Sequence, residues 1–529
     1  MSNQSASSFG VTPQHPVPIR RRTALIRRPL AFYFAGVFVY AALTSVWEVE
    51  PVPLGVHAMA VVIAATCLVP IVRWYARGSQ GLPMFELICL SYALQFSLPV
   101  FMQPNSVLIL NSAVYFGWDT ILEVLLLVEL GMAMLIFGYY IVQRSLVVKR
   151  LPRLDLPLDP RRQSVYLLGA LIGGGLVTLL QAMNWPPLEN PAVAAIARLF
   201  ANQLNLVIIL LAYAAYDTPQ RRARTVLLLW ISVAVAFVVG LTTGLLENAL
   251  LPLAFVIAVR WHVTRRLPWL IIVLGAVLYL VLNPAKFDYR QEVWYGGQDY
   301  TLGQRVGLWA DVASESAATL VNPETAQERQ DNFREALARF DLVHKFAWVR
   351  ELTPLVQPYY LGETYTYFLY SAVPRALWPD KPVASMANER IDLDYGLRLE
   401  SQRSTIGIGQ LPEAYANFGA LGIVLVMVLQ GVVFALLDNT LNGPQSEGGR
   451  AIYLSVMVYF LNGIGSSAAV LFGALLQQVL ANALILRLFA RGFQASEPGA
   501  SDVLPGSGPT PRHIGRHPVA RRNGTSSLG

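Results

Sequence analysis

The feature that most constrains this chain is a repetition. Apolar runs of roughly 17–24 residues alternate with short polar connectors over most of its length. At about 1.5 Å of rise per residue, such a run in helical form covers the roughly 30 Å of a bilayer's hydrocarbon core. The runs fall at about 30–47, 54–74, 83–102, 119–142, 164–183, 198–216, 225–241, 246–261, 267–283, 416–437, 451–466 and 468–489, which makes about twelve spans. Only 14% of the 529 residues are charged, against roughly 25% in a soluble chain, so so much apolar surface calls for lipid. The expected fold class is an all-α polytopic membrane protein, with about nine spans in 30–283, a large loop at 284–415 and about three spans in 416–489.

The basic residues orient these spans. Arg73 and Arg77, then Arg144 to Arg162, Arg221 to Arg224 and Arg260 to Arg266 sit in alternate connectors. The connectors between them, at Glu48 and Glu50, Gln103–Trp118 and Asn184–Pro191, carry no Lys or Arg. The positive-inside rule then puts both termini in the cytoplasm. Leu30–Trp47 reads as a signal anchor, because no small-x-small cleavage site follows it. The net charge of +7 is a topology signal on this reading, and no nucleic-acid partner is expected. Cys67 and Cys89 lie inside apolar runs as small buried hydrophobes, and the six histidines show no paired metal-ligand spacing. The ends, 1–29 and 490–529, read as disordered cytoplasmic tails. The short joins at Gly240–Leu246 and Gly463–Ser467 are each either a hairpin or a kink.

Asn283–Gly419 is the one long stretch too polar for a bilayer, and the alternation places it outside the cell membrane. Asn322 and Pro323 read as the start of an amphipathic helix over about 323–347. The aromatic run Tyr359–Tyr370, followed by Trp378, fits an interfacial belt and equally a platform for sugar rings. Pro374, Pro379 and Pro382 stiffen the backbone around Arg375 and Lys381, which suits an anion site or cations snorkelling to lipid phosphate. Glu413, Tyr415 and Asn417 stand at the mouth of the following span, while Lys286, Tyr289 and Arg290 leave the preceding one at the same depth. A carboxylate and several cations are therefore expected to converge there. Glu413 also reads as a salt-bridge or helix N-terminal carboxylate.

At these residues the chain resembles the O-antigen polymerase (Wzy-type) oligosaccharide repeat-unit polymerases. Three pieces occur in order: Lys286-x-x-Tyr289-Arg290; Gly362-x-Thr364-Tyr365 followed by Pro374 to Pro382; and Glu413-x-Tyr415-x-Asn417-Phe418-Gly419-x-x-Gly422. Pro412 stands where that family often has Gly, which puts in question how the Glu413 backbone is held. The resemblance implies a GT-C-like bundle in the bacterial inner membrane. It would transfer a growing polysaccharide between polyprenyl-diphosphate-linked repeat units on the outer face, alongside a flippase and a chain-length regulator. It also implies Glu413 as base, with Arg290 and Arg375 stabilising the diphosphate. Lys286, Tyr289, Lys381, Tyr365, Trp378, Tyr415 and Asn417 would bind substrate, with no nucleotide, metal or other cofactor. An O-antigen ligase and a lipid-linked oligosaccharide flippase are the rival readings.

Polar residues within the spans carry separate expectations. Glu86, Glu123, Glu129 and Glu247 need partners or a cavity, and Asn202, Gln203 and Asn205 are expected to bond between helices.

Overall fold

In the computed structural model, residues 19–490 are described apart from 47–49, 80, 103, 111, 146–147, 149, 184, 218–222, 297–299, 322–339, 374–377, 379, 403–404 and 443–445. The expected tails at 1–18 and 491–529, the start of the 323–347 helix, and Arg375 lie outside the described residues.

The first half runs α1 (Ile19–Val46), α2 (Leu54–Ala76), α3 (Met84–Phe96), α4 (Pro99–Met102), a β1–β2 hairpin (Ser106–Ile109, Ser112–Tyr115), α5 (Trp118–Arg144), α6 (Pro160–Ala182), α7 (Pro191–Tyr216), α8 (Ala223–Thr242), α9 (Leu246–Thr264) and α10 (Trp269–Arg290). Then come α11 (Leu302–Val321), α12 (Val343–Leu352), α13 (Glu363–Ala372), α14 (Met386–Asp394), α15 (Gln410–Leu441), α16 (Glu447–Gly463) and α17 (Ala468–Phe489). Eleven of the twelve expected runs each coincide with one helix, and 83–102 is covered by α3 and α4 together. Ten of the described helices are long and apolar enough to cross a membrane; α1 and α16 fall short in apolar length. The chain is a helical, multi-pass membrane protein.

Burial orders the bundle. The α3–α4 segment is 72% buried over its most apolar window, whereas α6 is 11% buried and turns Val165, Leu168, Ile172 and Leu176 outward at helical spacing. Such an apolar stripe is costly in water and natural in lipid. At the centre α5 and α15 approach closely, because a Cβ on Gly138 would come within 2.3 Å of the Val428 carbonyl oxygen. Gly431 repeats the device, with a Cβ falling 2.2 Å from the Leu135 carbonyl oxygen.

Several boundaries differ from the sequence reading. Residues 19–29 are helical within α1 rather than a disordered tail. The large loop starts later than Asn283, because α10 runs to Arg290 and continues as a π-helical turn to Tyr295. It also ends earlier, since α15 begins at Gln410 rather than at 416. The expected 323–347 helix is interrupted: residues 340–342 are non-helical, and α12 starts at Val343 with the Asp341 carboxylate accepting the His344 N–H at 3.1 Å. The β-hairpin lies in the Gln103–Trp118 connector and was not anticipated. The two short joins are both breaks between separate helices. At the first, Gly244 takes φ +72°, and the helices pack so tightly that a Cβ on Gly240 would sit 2.6 Å from the Ala249 nitrogen.

The polar residues inside spans mostly find partners. Glu123 takes a bidentate pair of bonds from Arg350, both 2.8 Å, which ties α12 to α5. Glu129 accepts from Thr66 at 2.7 Å, and Gln203 bonds Tyr166 at 2.9 Å and Asn482 at 2.9 Å, the interhelical role expected of it. Cys67 and Cys89 are free and buried.

Candidate functional site

The site is built around an interruption in α15. Gly409, with φ +85°, precedes the helix. Pro412 is its third residue, where an N–H would have no helical partner, so proline costs the backbone nothing and the Glu413 N–H still reaches the Gly409 oxygen at 3.2 Å. The helical path then fails at Phe418 (φ −142°, ψ 15°) and Gly419 (φ 64°, ψ −150°). Only glycine adopts the second of these readily, and a Cβ there would press to 3.0 Å on the Tyr359 hydroxyl. Gly422 completes the break, since a Cβ on it would overlap the Ala414 carbonyl oxygen at 2.2 Å.

A broken helix exposes carbonyls that need donors. The loop before α13 supplies them: Tyr360 N–H donates to Ala416 O at 3.1 Å and Leu361 N–H to Asn417 O at 3.2 Å. The fully buried Asn417 side chain closes the joint. Its Oδ1 accepts the Gly362 N–H at 2.9 Å, and its Nδ2 donates to Thr364 Oγ1 and to Glu413 O, both at 2.8 Å. Thr364 and Tyr365, on the first turn of α13, are thereby held against Glu413.

Glu413 has no exposed surface. Its Oε2 accepts the N–H of Ala468 at 2.7 Å, the first residue of α17, whose preceding Ser467 makes no side-chain cap of its own. The carboxylate thus closes the positive end of a helix far along the chain. The Thr364 side chain also interacts with this carboxylate, while Oε1, the Tyr365 hydroxyl and Ser467 Oγ are buried and meet no partner at hydrogen-bonding geometry among the described residues. Burial, followed by the nearby Glu413 charge, pushes the Tyr365 hydroxyl well above its ordinary range. Each such unmade bond costs about 1–3 kcal/mol.

The floor of the site is fixed by α14. Asp392 accepts the N–H groups of Ile406 at 2.7 Å and Gly407 at 3.2 Å, and Asn388 Oδ1 accepts the Ser467 N–H at 2.8 Å. Burial raises the Asp392 carboxyl to about 6, partly opposed by those two N–H groups. Gln410 bonds the Gly463 and Ser466 carbonyls across the same joint.

The remaining sequence candidates separate into groups. Lys381 is buried and its ammonium donates to three carbonyls, Tyr370 at 3.2 Å, Ser371 at 3.1 Å and Val373 at 2.5 Å, so it closes the C-terminal end of α13. Trp378 lies edge-on to Tyr370, and the Tyr415 ring meets Phe346 and Tyr359. Lys286, Tyr289 and Arg290 belong to another neighbourhood, on α10 itself. Lys286 Nζ donates to Asn283 Oδ1 at 2.6 Å, the Tyr289 hydroxyl to Thr242 O at 2.8 Å, and Arg290 Nε to Gly244 O at 2.8 Å. Tyr289 stacks on Trp309 of α11, and Arg290 lies over Trp294. The hydrogen bonds and ring contacts described for these three side chains involve α8 to α11 and the turns between them, whereas those of Glu413 involve α15 itself, α13 and α17. Sequence reasoning expected both groups at one depth. It did not find Ser467, Ala468, Asn388 or Asp392, whose roles depend on pairings remote in sequence.

A sequence family described as "Domain of unknown function (DUF8712)" matches residues 188–490, which takes in both motif groups. No curated protein and no solved structure matches.

Proposed function

We propose that this chain, which belongs to the DUF8712 family by a match over more than half of its length, is a glycosyltransferase of the outer face of the bacterial inner membrane, a reading that rests on its motifs and the Glu413 site and not on the family. It joins polyprenyl-diphosphate-linked oligosaccharide repeat units into O-antigen, capsule or exopolysaccharide, with both termini in the cytoplasm. The observation that carries this reading is the Glu413 carboxyl, anchored through one oxygen to α17 while the other, like the nearby Tyr365 hydroxyl, is buried and meets no partner at hydrogen-bonding geometry among the described residues.

In the proposed step an acceptor sugar hydroxyl attacks the anomeric carbon of the donor. The new C–O bond forms as the bond from that carbon to the diphosphate breaks, and the acceptor proton passes to Glu413. Negative charge grows on the departing polyprenyl diphosphate, where guanidinium groups bind best by paired hydrogen bonds. We assign that role to Arg290 and Arg375, with Lys286 as a further cation; Arg290 and Lys286 lie in the α8–α11 neighbourhood, so the assignment requires a substrate that bridges from there to Glu413. Lys381 and Asn417 act as positioning residues, because their contacts hold α13 and the α15 break. Tyr365, Trp378 and Tyr415 offer aromatic faces to sugar rings. The donor carries its own leaving group, so the step as written consumes no nucleotide.

The test is made in cells. Arg290→Ala, Arg375→Ala and Glu413→Gln are expected to abolish long polymer while lipid-linked single repeats accumulate outside and protein levels hold. Polymer of unchanged length in all three discards the proposal. Repeats trapped inside a deletion strain assign the chain to translocation instead.

A further inference from the structure

At the opposite end of α15 from its break, a second set of polar groups surrounds a cavity. The cavity holds about 170 Å³ and is lined by Gly81, Leu82, His262, Arg265, Asn442 and Arg450, with Leu441 and Tyr453 completing it. A water molecule's share of the liquid is about 30 Å³, so the space takes a group larger than one water.

Its floor is rigid. Asp438 accepts from Tyr139 at 2.8 Å, Tyr453 at 2.6 Å and Asn442 at 2.7 Å. Asn442 in turn exchanges bonds with the Leu82 backbone at 3.1 and 3.0 Å. Gly81, at φ +72°, keeps the wall open, since a Cβ there would lie 2.9 Å from the Asn442 amide.

The rim is cationic and incompletely bonded. Arg450 Nε, His262 Nδ1 and the Tyr213 hydroxyl are all buried without hydrogen-bond partners among the described residues. Arg450 lies over the Tyr213 ring at 5.1 Å, and the His262 ring stands edge-on to it at 6.1 Å. Arg265, which ends α9, holds a left-handed backbone (φ 54°, ψ 21°) unusual outside glycine. The nearby acid, Asp217, reaches Arg450 Nη1 only at 3.7 Å from a half-exposed position and leaves Nε untouched. Two guanidiniums and an imidazole around one small cavity, with the Arg450 Nε donor unspent among the described residues, suit an oxyanion.

We propose that this cavity binds a phosphoryl group, either the headgroup of an anionic phospholipid or a soluble phosphate. The basic connectors at this end, Arg73 to Arg77 and Arg260 to Arg266, are those the charge pattern assigns to the cytoplasmic side, where anionic headgroups meet basic pockets between spans. The inference is independent of the glycosyltransferase reading.

The experiment uses the full chain. Purified protein is titrated with inorganic diphosphate, and separately reconstituted into phosphatidylcholine nanodiscs with or without phosphatidylglycerol, and thermal unfolding is followed. At least one of the two anions is expected to stabilise the wild type and an Arg161→Gln control equally. Arg450→Gln and Arg265→Gln are expected to weaken that response at least about tenfold, the loss of one charge-assisted bond. A response to diphosphate alone identifies a soluble anion, and a response to phosphatidylglycerol alone identifies a headgroup. If Arg450→Gln does not fold, Arg265→Gln decides. Stabilisation by neither anion, or a wild-type response in the folded variants, overturns the proposal.

Discussion

The two motif-bearing neighbourhoods differ in how they hold polar side chains inside an apolar bundle. Around Lys286, Tyr289 and Arg290 the chain stays helical through Arg290 into a π-helical turn, and these side chains bond Asn283 and the carbonyls of the α8–α9 turn. Around Glu413 the helix is broken at Gly419, and the break recruits the 360–362 loop, Asn417 and the start of α17. The first arrangement holds its cations on a side-chain amide oxygen, for Lys286, and on a turn carbonyl, for Arg290. The second leaves a carboxylate oxygen and a phenol without hydrogen-bond partners among the described residues.

This contrast can be broken by substitution. Gly422→Ala drives a Cβ into the Ala414 carbonyl and should destabilise the fold by roughly 2–3 kcal/mol, read from thermal unfolding in detergent. An equivalent change at Gly275, which faces open space, should do far less. If the two behave alike, the break in α15 is not a structural requirement. Asn417→Ala removes the clamp on Gly362 and Thr364 and should cost about 1–3 kcal/mol, with loss of activity following from misplaced α13.

Asp392 sharpens the comparison through pH. Its carboxyl is raised to about 6 in the folded protein against about 4 in an unfolded chain. Between those values the folded state holds the proton and the unfolded state does not, so stability is greatest below about 4 and falls as pH rises through about 6. In Asp392→Asn that portion of the slope should vanish, and an unchanged stability profile from acid to neutral pH would refute the assignment.

The smallest structural effect belongs to Tyr365→Phe. Its hydroxyl has no hydrogen-bond partner among the described residues, so removal should leave stability within about 1 kcal/mol or raise it, while polymer formation falls. A marked loss of stability would mean that the hydroxyl is bonded after all.

Much of the fold was legible because a long apolar run has one economical conformation in lipid, which is why the twelve expected runs found helices. The end of α10 was not, since Pro284, Lys286, Asp288 and Arg290 read as loop; contacts with Asn283, Gly244 and Trp294 accommodate the helix there. The cap at Asn322 and Pro323 opened one continuous helix over about 323–347 in the sequence, and the Asp341–His344 bond that begins a new helix is too local to show against it. For the site, Gly419 and Gly422 were visible as a motif, but that their role is to break a helix depends on Tyr359 and Ala414. Nothing local foretold that Glu413 would cap a helix 55 residues later.

The central claim is that Glu413 Oε1 is the reactive group. Glu413→Gln preserves an oxygen for the Ala468 N–H and removes the base. Reconstituted into vesicles with lipid-linked repeat units, the folded variant should leave those units unjoined, with polymer formation reduced by roughly 10²-fold or more. Polymer made at the wild-type rate by that variant would contradict the account.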